Sequence, residues 1–347
     1  MRRYCLRGRL TFGVAAIGCV MTTLGATGQG LRTLENPSLV KKWTPPRTPD
    51  GQPELQGVWR NNNVTPLERP AALAQQSVLT DEQVAAIKRR AAELFDGSGD
   101  PAYGDSFFNT VISDAKKFTS LDSVGDHNQF WLSDRDFNDN RTSLISDPPD
   151  GRLPPLTPEE KQKRDARPAA GLALPNGPED LLLNARCITF GVPDLLPAYM
   201  SYYQIVQTRD YVAILHEKIH DVRLIPLDGR RHIGSSIRQW LGDRRGHWEG
   251  NTLVVETTNF AASSLLFAGQ TDENLHLIER FTRVSPTILN YEFTINDPTV
   301  WTRPWTATIP LRAADPNERV YEYACHEGNR SMVGSLSGAR AAEKRLP

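Results

Sequence analysis

The chain reads as a mainly β protein: an antiparallel meander that closes as a barrel or packs as a sandwich, with an irregular, helix-containing insertion near its N-terminus. Three observations predict this. From about residue 200, eight short runs rich in β-branched and aromatic residues follow one another with turn residues between them. One run sets Leu289, Tyr291, Phe293 and Ile295 in strict alternation with Asn290, Glu292 and Thr294, the period of a half-buried strand. No regular alternation of strands with helices appears, which argues against a doubly wound parallel sheet. A meander of this length hides its edge strands by closing on itself or by packing two sheets face to face.

The elements follow in chain order. Residues 1–28 have a basic start (Arg2, Arg3, Arg7, Arg9), an uncharged apolar run from Leu10 to Leu24, and small residues at Ala26-Thr27-Gly28. This is the pattern of a cleavable signal peptide, and the apolar run is short for a membrane span. The expected destination is periplasmic or secreted, by the general secretory (Sec) route or, given Arg2-Arg3, the twin-arginine route. Cys19 faintly resembles a lipoprotein acylation site, but Val20 to Leu24 continue the apolar run beyond it. Residues 29–53 are rich in Pro, Thr and Lys without periodicity and read as an extended linker. Residues 54–199 carry a first strand at Leu55–Arg60 and then mixed helical and irregular chain. The tripeptide Gly57-Val58-Trp59 resembles the G-x-W of the first strand in lipocalin-like barrels. Thr80 with Gln83 forms a capping box, flanked by Leu79 and Val84 as a hydrophobic staple. Val84, Ile87, Ala91 and Leu94 continue one apolar face, and Gly97 is expected to stop the helix. Thr157-Pro158 opens a second helix, and Pro178–Arg186 is a third, shorter candidate. Arg141–Ile145 reads as a strand before the turn Asp147–Gly151. Residues 200–347 are the antiparallel β domain, with strands at Tyr203–Thr208, Tyr211–Glu217, Asp221–Leu227, Thr252–Thr257, Leu275–Val284, Ile288–Ile295, Trp305–Leu311 and Arg319–Cys325.

The formal charge of −1 becomes −5 once the four arginines of residues 1–28 are removed. A mildly acidic chain with no basic tract is a poor nucleic-acid binder. No segment of the mature chain reaches membrane-spanning length. Of the four cysteines, Cys187 and Cys325 lie outside the signal. An even pair in an oxidising compartment predicts a disulfide. The competing reading makes Cys325 a reactive thiol beside His326, but neighbours on a strand point to opposite faces.

The run Ile237-Arg238-Gln239-Trp240-Leu241-Gly242-Asp243, continuing through Gly246-His247-Trp248-Glu249-Gly250-Asn251 to Phe260, resembles a widespread family of exported proteins of soil bacteria. Thr65–Pro70, Asp147–Pro158 and Tyr323–Asn329 carry the same resemblance. It implies export and transfers no activity, cofactor or catalytic residue.

The chain lacks a G-x-S-x-G elbow, a phosphate-binding loop and paired C-x-x-C, and it names no cofactor or metal. His216-Glu217-Lys218-Ile219-His220 has the H-E-x-x-H spacing, but its β-branched neighbours argue for a strand and not a helix, and on a strand the two histidines stand about 13 Å apart, too far for one metal ion. Candidate chemistry therefore rests on strand phase. His216 shares a face with Val212 and Ile214, Glu279 with Leu277 and Phe281, and His326 with Val320 and Ala324. All three are expected to point inward and to meet in one pocket. Trp240, Trp248, Trp301 and Trp305 crowd near turns and strand ends, where aromatic rings at a barrel mouth bind apolar or aromatic ligands. The first functional expectation is an exported barrel that holds a small apolar or aromatic molecule. The alternatives are a hydrolase-like or metal-assisted enzyme using His and Glu in the barrel, and an envelope structural or interaction domain.

Overall fold

In a computed structural model of the chain, nine strands run in the order β5-β4-β3-β1-β10-β9-β8-β7-β6, each antiparallel to its neighbours, and β2 pairs with β10 beside this path. The structure describes residues 43–95, 104–116, 135–166, 174–195, 197, 199–261 and 273–345. The expected signal peptide, most of the linker, and Gly97 lie outside them. The strands are β1 (Gly57–Arg60), β2 (Ile145–Asp147), β3 (Tyr202–Gln207), β4 (Tyr211–His216), β5 (Val222–Pro226), β6 (Asp243–Glu249), β7 (Thr252–Thr258), β8 (His276–Arg283), β9 (Ile288–Asn296) and β10 (Trp305–Ala313). The sheet curls into a nearly closed barrel. Its two end strands, β5 and β6, meet through side chains instead of a backbone ladder.

Alternation sets the interior. Leu289, Tyr291, Phe293 and Ile295 of β9 are buried, as are Leu277, Glu279 and Phe281 of β8 and Trp305, Ala307, Ile309 and Leu311 of β10. Their rings interlock: Phe281 stacks on Tyr291 at 4.6 Å, and Trp301 and Trp305 meet edge to face at 6.1 Å. Trp59 of β1 is buried, donates from Nε1 to the Leu55 carbonyl at 2.9 Å, and carries the Arg283 guanidinium over its ring at 5.3 Å.

β1 lies between β3 and β10, so the first strand is an integral stave of the barrel. The described residues from Trp43 onward form a single compact unit, with no boundary near residue 200. The sequence boundary at 199/200 marks a change of pattern within that unit. Between β1 and β3 lie α1 (Asp81–Leu94), α2 (Gly104–Ile112) and α3 (Pro158–Asp165). The capping box forms as read: Thr80 Oγ1 accepts from the Gln83 amide at 3.2 Å, and Gln83 Oε1 accepts from the Thr80 amide at 2.8 Å. Leu79 and Val84 pack together with Phe108, and Val64, Phe107 and Val111 make a second small cluster.

Three expectations are corrected, and two elements that the sequence reading did not include are added. Arg319–Cys325 is irregular chain, because no partner strand runs beside it and its residues lie largely at the surface. It leads into a helix the sequence reading did not include, α4 (Arg330–Glu343), capped by Asn329. The Pro178–Arg186 candidate shortens to a single 3-10 turn at Pro178–Asp180. The strand expected at Arg141–Ile145 starts at Ile145 instead, where pairing with Ala307 begins. β6 also escaped the sequence reading, since Asp-Arg-Arg-Gly-His-Trp-Glu looks like a charged loop. Its pairing with β7 along seven residues makes it a strand.

Cys187 and Cys325 are joined by a disulfide, which ties the segment after β10 to the loop ahead of β3. No described helix is long and apolar enough to cross a membrane.

Candidate functional site

One end of the barrel interior is polar. Arg223 on β5 and Glu279 on β8 share inward phase with Ile225 and with Leu277 and Phe281, and both are buried. Across the interior, Arg223 Nη1 and Nη2 donate to Glu279 Oε1 and Oε2 at 2.7 and 2.6 Å. The Tyr291 hydroxyl donates to Glu279 Oε1 at 2.7 Å. A bidentate pair of this kind, closed by a third donor, is the form in which a buried carboxylate is tolerated. The same environment raises the Tyr291 hydroxyl well above its ordinary pKa, first by burial and then by the neighbouring Glu279 charge. Arg244 of β6 stands near. Burial, and then repulsion from Arg223, lower its pKa.

A second charged group adjoins the first. Asp194, from the loop before β3, lies with Oδ2 2.5 Å from Lys218 Nζ and 3.1 Å from His216 Nε2. The histidine contact is within ion-pair distance but misaligned for a hydrogen bond. Burial alone would raise the Asp194 carboxyl; the Lys218 charge, with His216, outweighs it and holds the group far below the usual carboxylate range. Lys218 is fully buried, and its pKa is lowered by desolvation against the pull of Asp194. It sits in a one-turn 3-10 element whose next residues, Ile219 and His220, take φ of 53° and 46°. That region is unfavourable for a β-branched residue. The strained turn coincides with the burial of the lysine against Asp194.

Between these groups lies a cavity lined by Asp194, Tyr203, His216, Arg223, Phe281 and Tyr291, with Asp221, Val192 and Leu241 also on its wall. Leu241 and Asp221 are partly exposed and mark its mouth. Its envelope is about 370 Å³ and opens to solvent at one side, but the space open to a water molecule's centre is about 20 Å³. The closed interior thus has room for a water or two. Tyr203 stacks on His216 at 4.6 Å. Its hydroxyl is buried with no hydrogen-bond partner among the described residues, and the same holds for Arg223 Nε.

His216 and Glu279 are both buried on the inward face, His216 on the cavity wall and Glu279 behind it through Arg223 and Tyr291. His326 is not with them. It is exposed in a turn before α4, because the segment it was read on forms no strand, so the three-residue site of the sequence reading does not form. The tryptophans are also elsewhere. Trp301 and Trp305 are core residues, Trp248 packs against the core from β6, and Trp240 is 39% exposed; none lines the cavity. The aromatic wall is made by Tyr203, Phe281 and Tyr291 instead.

Three cavity residues missed by the sequence reading left different traces. Arg223 alternates with Ile225 as Glu279 does with Phe281, a cation in apolar phase that complements the carboxylate. Tyr203 was read only as the first residue of its strand. Asp194 lies in irregular chain after Gly191-Val192-Pro193, where no period exists to assign its direction. Among the described residues, no three His, Cys, Asp or Glu side chains are arranged to hold a metal ion. A second, wider cleft lies outside the barrel wall, lined by Gln204, Leu215, Glu217, His220, Val320, Tyr321 and Glu322.

No family model, no curated protein and no solved structure matches the chain.

Proposed function

We propose that this protein is an exported barrel that binds a small molecule in the polar end of its interior. The observation that carries the reading is the set of buried polar groups around the cavity, above all the Tyr203 hydroxyl and Arg223 Nε, which have no partner among the described residues. An unpaired buried polar group costs about 1–3 kcal/mol, and a fixed buried ion pair is weak as a source of stability. Polar groups held at such a cost around a cavity are what a binding site requires. The export part rests on the signal-like N-terminus, the family resemblance, and the Cys187–Cys325 disulfide, a bond of oxidising compartments. The enzyme reading has one supporting observation, the Asp194 carboxylate beside His216. That carboxylate is held by Lys218 as well, which leaves it an ion-pair partner more than a free base.

The test is binding of small aromatic molecules followed by ligand-observed NMR, comparing the natural protein with Leu241→Trp, which fills the mouth. Binding that the substitution abolishes, with the melting temperature kept, supports the interior site. Binding of equal strength in both proteins, or none in either, refutes it.

A further inference from the structure

The charges at this end of the barrel are of both signs and interleaved. Lys218, Arg223 and Arg244 stand near Asp194, Asp221 and Glu279, with Glu217 beside Lys218 and the Asp243–Arg245 pair beside Arg244. Each cation is engaged: Lys218 with Asp194, Arg223 with Glu279 through both terminal nitrogens, and Arg244 with the Leu224 and Gly242 carbonyls at 3.2 and 3.0 Å. On the cavity wall itself, Asp194 and Asp221 outnumber Arg223. An anion entering here would meet two carboxyl groups and a guanidinium whose terminal nitrogens are already committed. A cation would have to break into the Asp194 pairs, since Thr189 Oγ1 already donates to Asp221 Oδ2 at 2.6 Å. The groups left over are of another kind. The Tyr203 hydroxyl and the Arg223 Nε–H are donors, buried and without partners among the described residues, on residues that line the same wall; His216 Nε2 is there too, 3.1 Å from Asp194 Oδ2 but outside hydrogen-bond alignment. Two donors close to one narrow space ask for an acceptor oxygen. Flat rings surround that space: Tyr203 on His216 and Tyr291 on Phe281, the latter pair only 5° from coplanar. Leu241 at the mouth and Val192 on the wall give the space an apolar side, with Asp221 on the other side of the mouth.

We infer that the cavity takes a neutral, planar, conjugated molecule by its carbonyl oxygen, which accepts hydrogen bonds from the Tyr203 hydroxyl and Arg223 Nε while the apolar body of the ligand lies in the mouth against Leu241 and Val192. This rests on the small-molecule reading above and names the chemistry of that same site. The small volume open to water fits a single polar tip entering between the rings, not a whole ligand enclosed. A tip that displaces water must replace its hydrogen bonds, and a carbonyl with two lone pairs meets both donors at once.

The experiment uses three probes of one shape, acetophenone, benzoate and ethylbenzene, with the natural protein and with Tyr203→Phe, by saturation-transfer NMR and competition. The expected order is acetophenone first, with ethylbenzene and benzoate each at least about threefold weaker, the lower range of a single net hydrogen bond. Tyr203→Phe should weaken acetophenone by about three- to tenfold, leave ethylbenzene unchanged, and leave the melting temperature the same or higher, because it removes an unpaired buried hydroxyl. Equal affinity for acetophenone and ethylbenzene, or an acetophenone affinity untouched by Tyr203→Phe, would overturn the carbonyl assignment while leaving an interior binding site intact. Benzoate binding tightest would overturn the neutrality. If none of the three binds, and none of a wider set of small aromatics binds either, the binding reading itself falls and this assignment falls with it.

Discussion

At the scale of single residues, the interior pair Arg223–Glu279 shows how strand phase and charge act together. Glu279 is fully buried, and its carboxylate is spoken for by three donors, two from Arg223 and one from Tyr291. Removing one member leaves the other as an uncompensated buried charge, which costs about 3–5 kcal/mol. Glu279→Ala is therefore expected to lower stability by about that amount. Replacing both, as Arg223→Met with Glu279→Met, should recover much of the loss, because apolar groups of similar volume need no partner. Denaturant unfolding of the two variants checks this; a double variant as unstable as the single one would show that the pair itself, and not its desolvation, holds the barrel. Glu279 was legible in the sequence because it breaks an otherwise apolar face in Leu277-x-Glu279-x-Phe281. His326 carried the same kind of signal and misled, since phase means nothing where no strand forms.

At the scale of elements, the closure of the barrel depends on Gly246. β5 and β6 are the ends of the sheet, and they meet where Gly246 leaves room for β5 side chains. A Cβ there would come within 2.7 Å of Ile225 Cγ2 and 2.8 Å of Leu227 Cδ2. Gly246→Val should accordingly cost about 1–3 kcal/mol by overpacking the seam, read as a drop in the denaturation midpoint. Gly246→Ala should cost less than Gly246→Val, since it brings a single methyl into the seam. No loss on Gly246→Val would mean that the seam is looser than its side chains indicate. Most strands were legible because β7, β8, β9 and β10 carry period two. β6 was not, because Arg244 and Gly246 stand where an apolar pattern would need large hydrophobic residues. Helix α4 is likewise weakly patterned, with only Ala339 buried.

At the scale of the whole molecule, the buried tyrosines link the interior to pH. Tyr203 and Tyr291 both have pKa values raised well above the ordinary one, chiefly by burial. A group whose folded pKa is raised contributes stability that is present below its unfolded value and lost as pH rises toward the folded value. The protein is thus expected to hold its stability up to about pH 10, the unperturbed tyrosine value, and to lose it above. Phenolate absorbance measured alongside circular dichroism is the check: these two hydroxyls should ionise only as the fold is lost. Asp194 works in the opposite direction. Its lowered pKa contributes stability present above the unfolded carboxylate value of about 4 and lost as pH falls below it. The disulfide adds a constraint on the whole chain. It closes a 138-residue separation, worth about 5 kcal/mol on the chain-entropy model.

The sequence by itself determined the antiparallel β class, most of the strands, the capping box of α1, the cysteine pairing and the burial of His216 and Glu279. Each of these follows from a local period or a count: a side chain's direction on a strand depends only on its parity, and two cysteines outside the signal-like segment leave one pairing. Only the tertiary structure decided that β1 stands between β3 and β10, that Arg223 meets Glu279, and that Asp194 reaches His216 and Lys218 from an irregular loop. Those are contacts between residues far apart in the chain, or residues with no period at all. Parity tells which way a side chain points; what it meets there depends on which strands the closing sheet brings face to face.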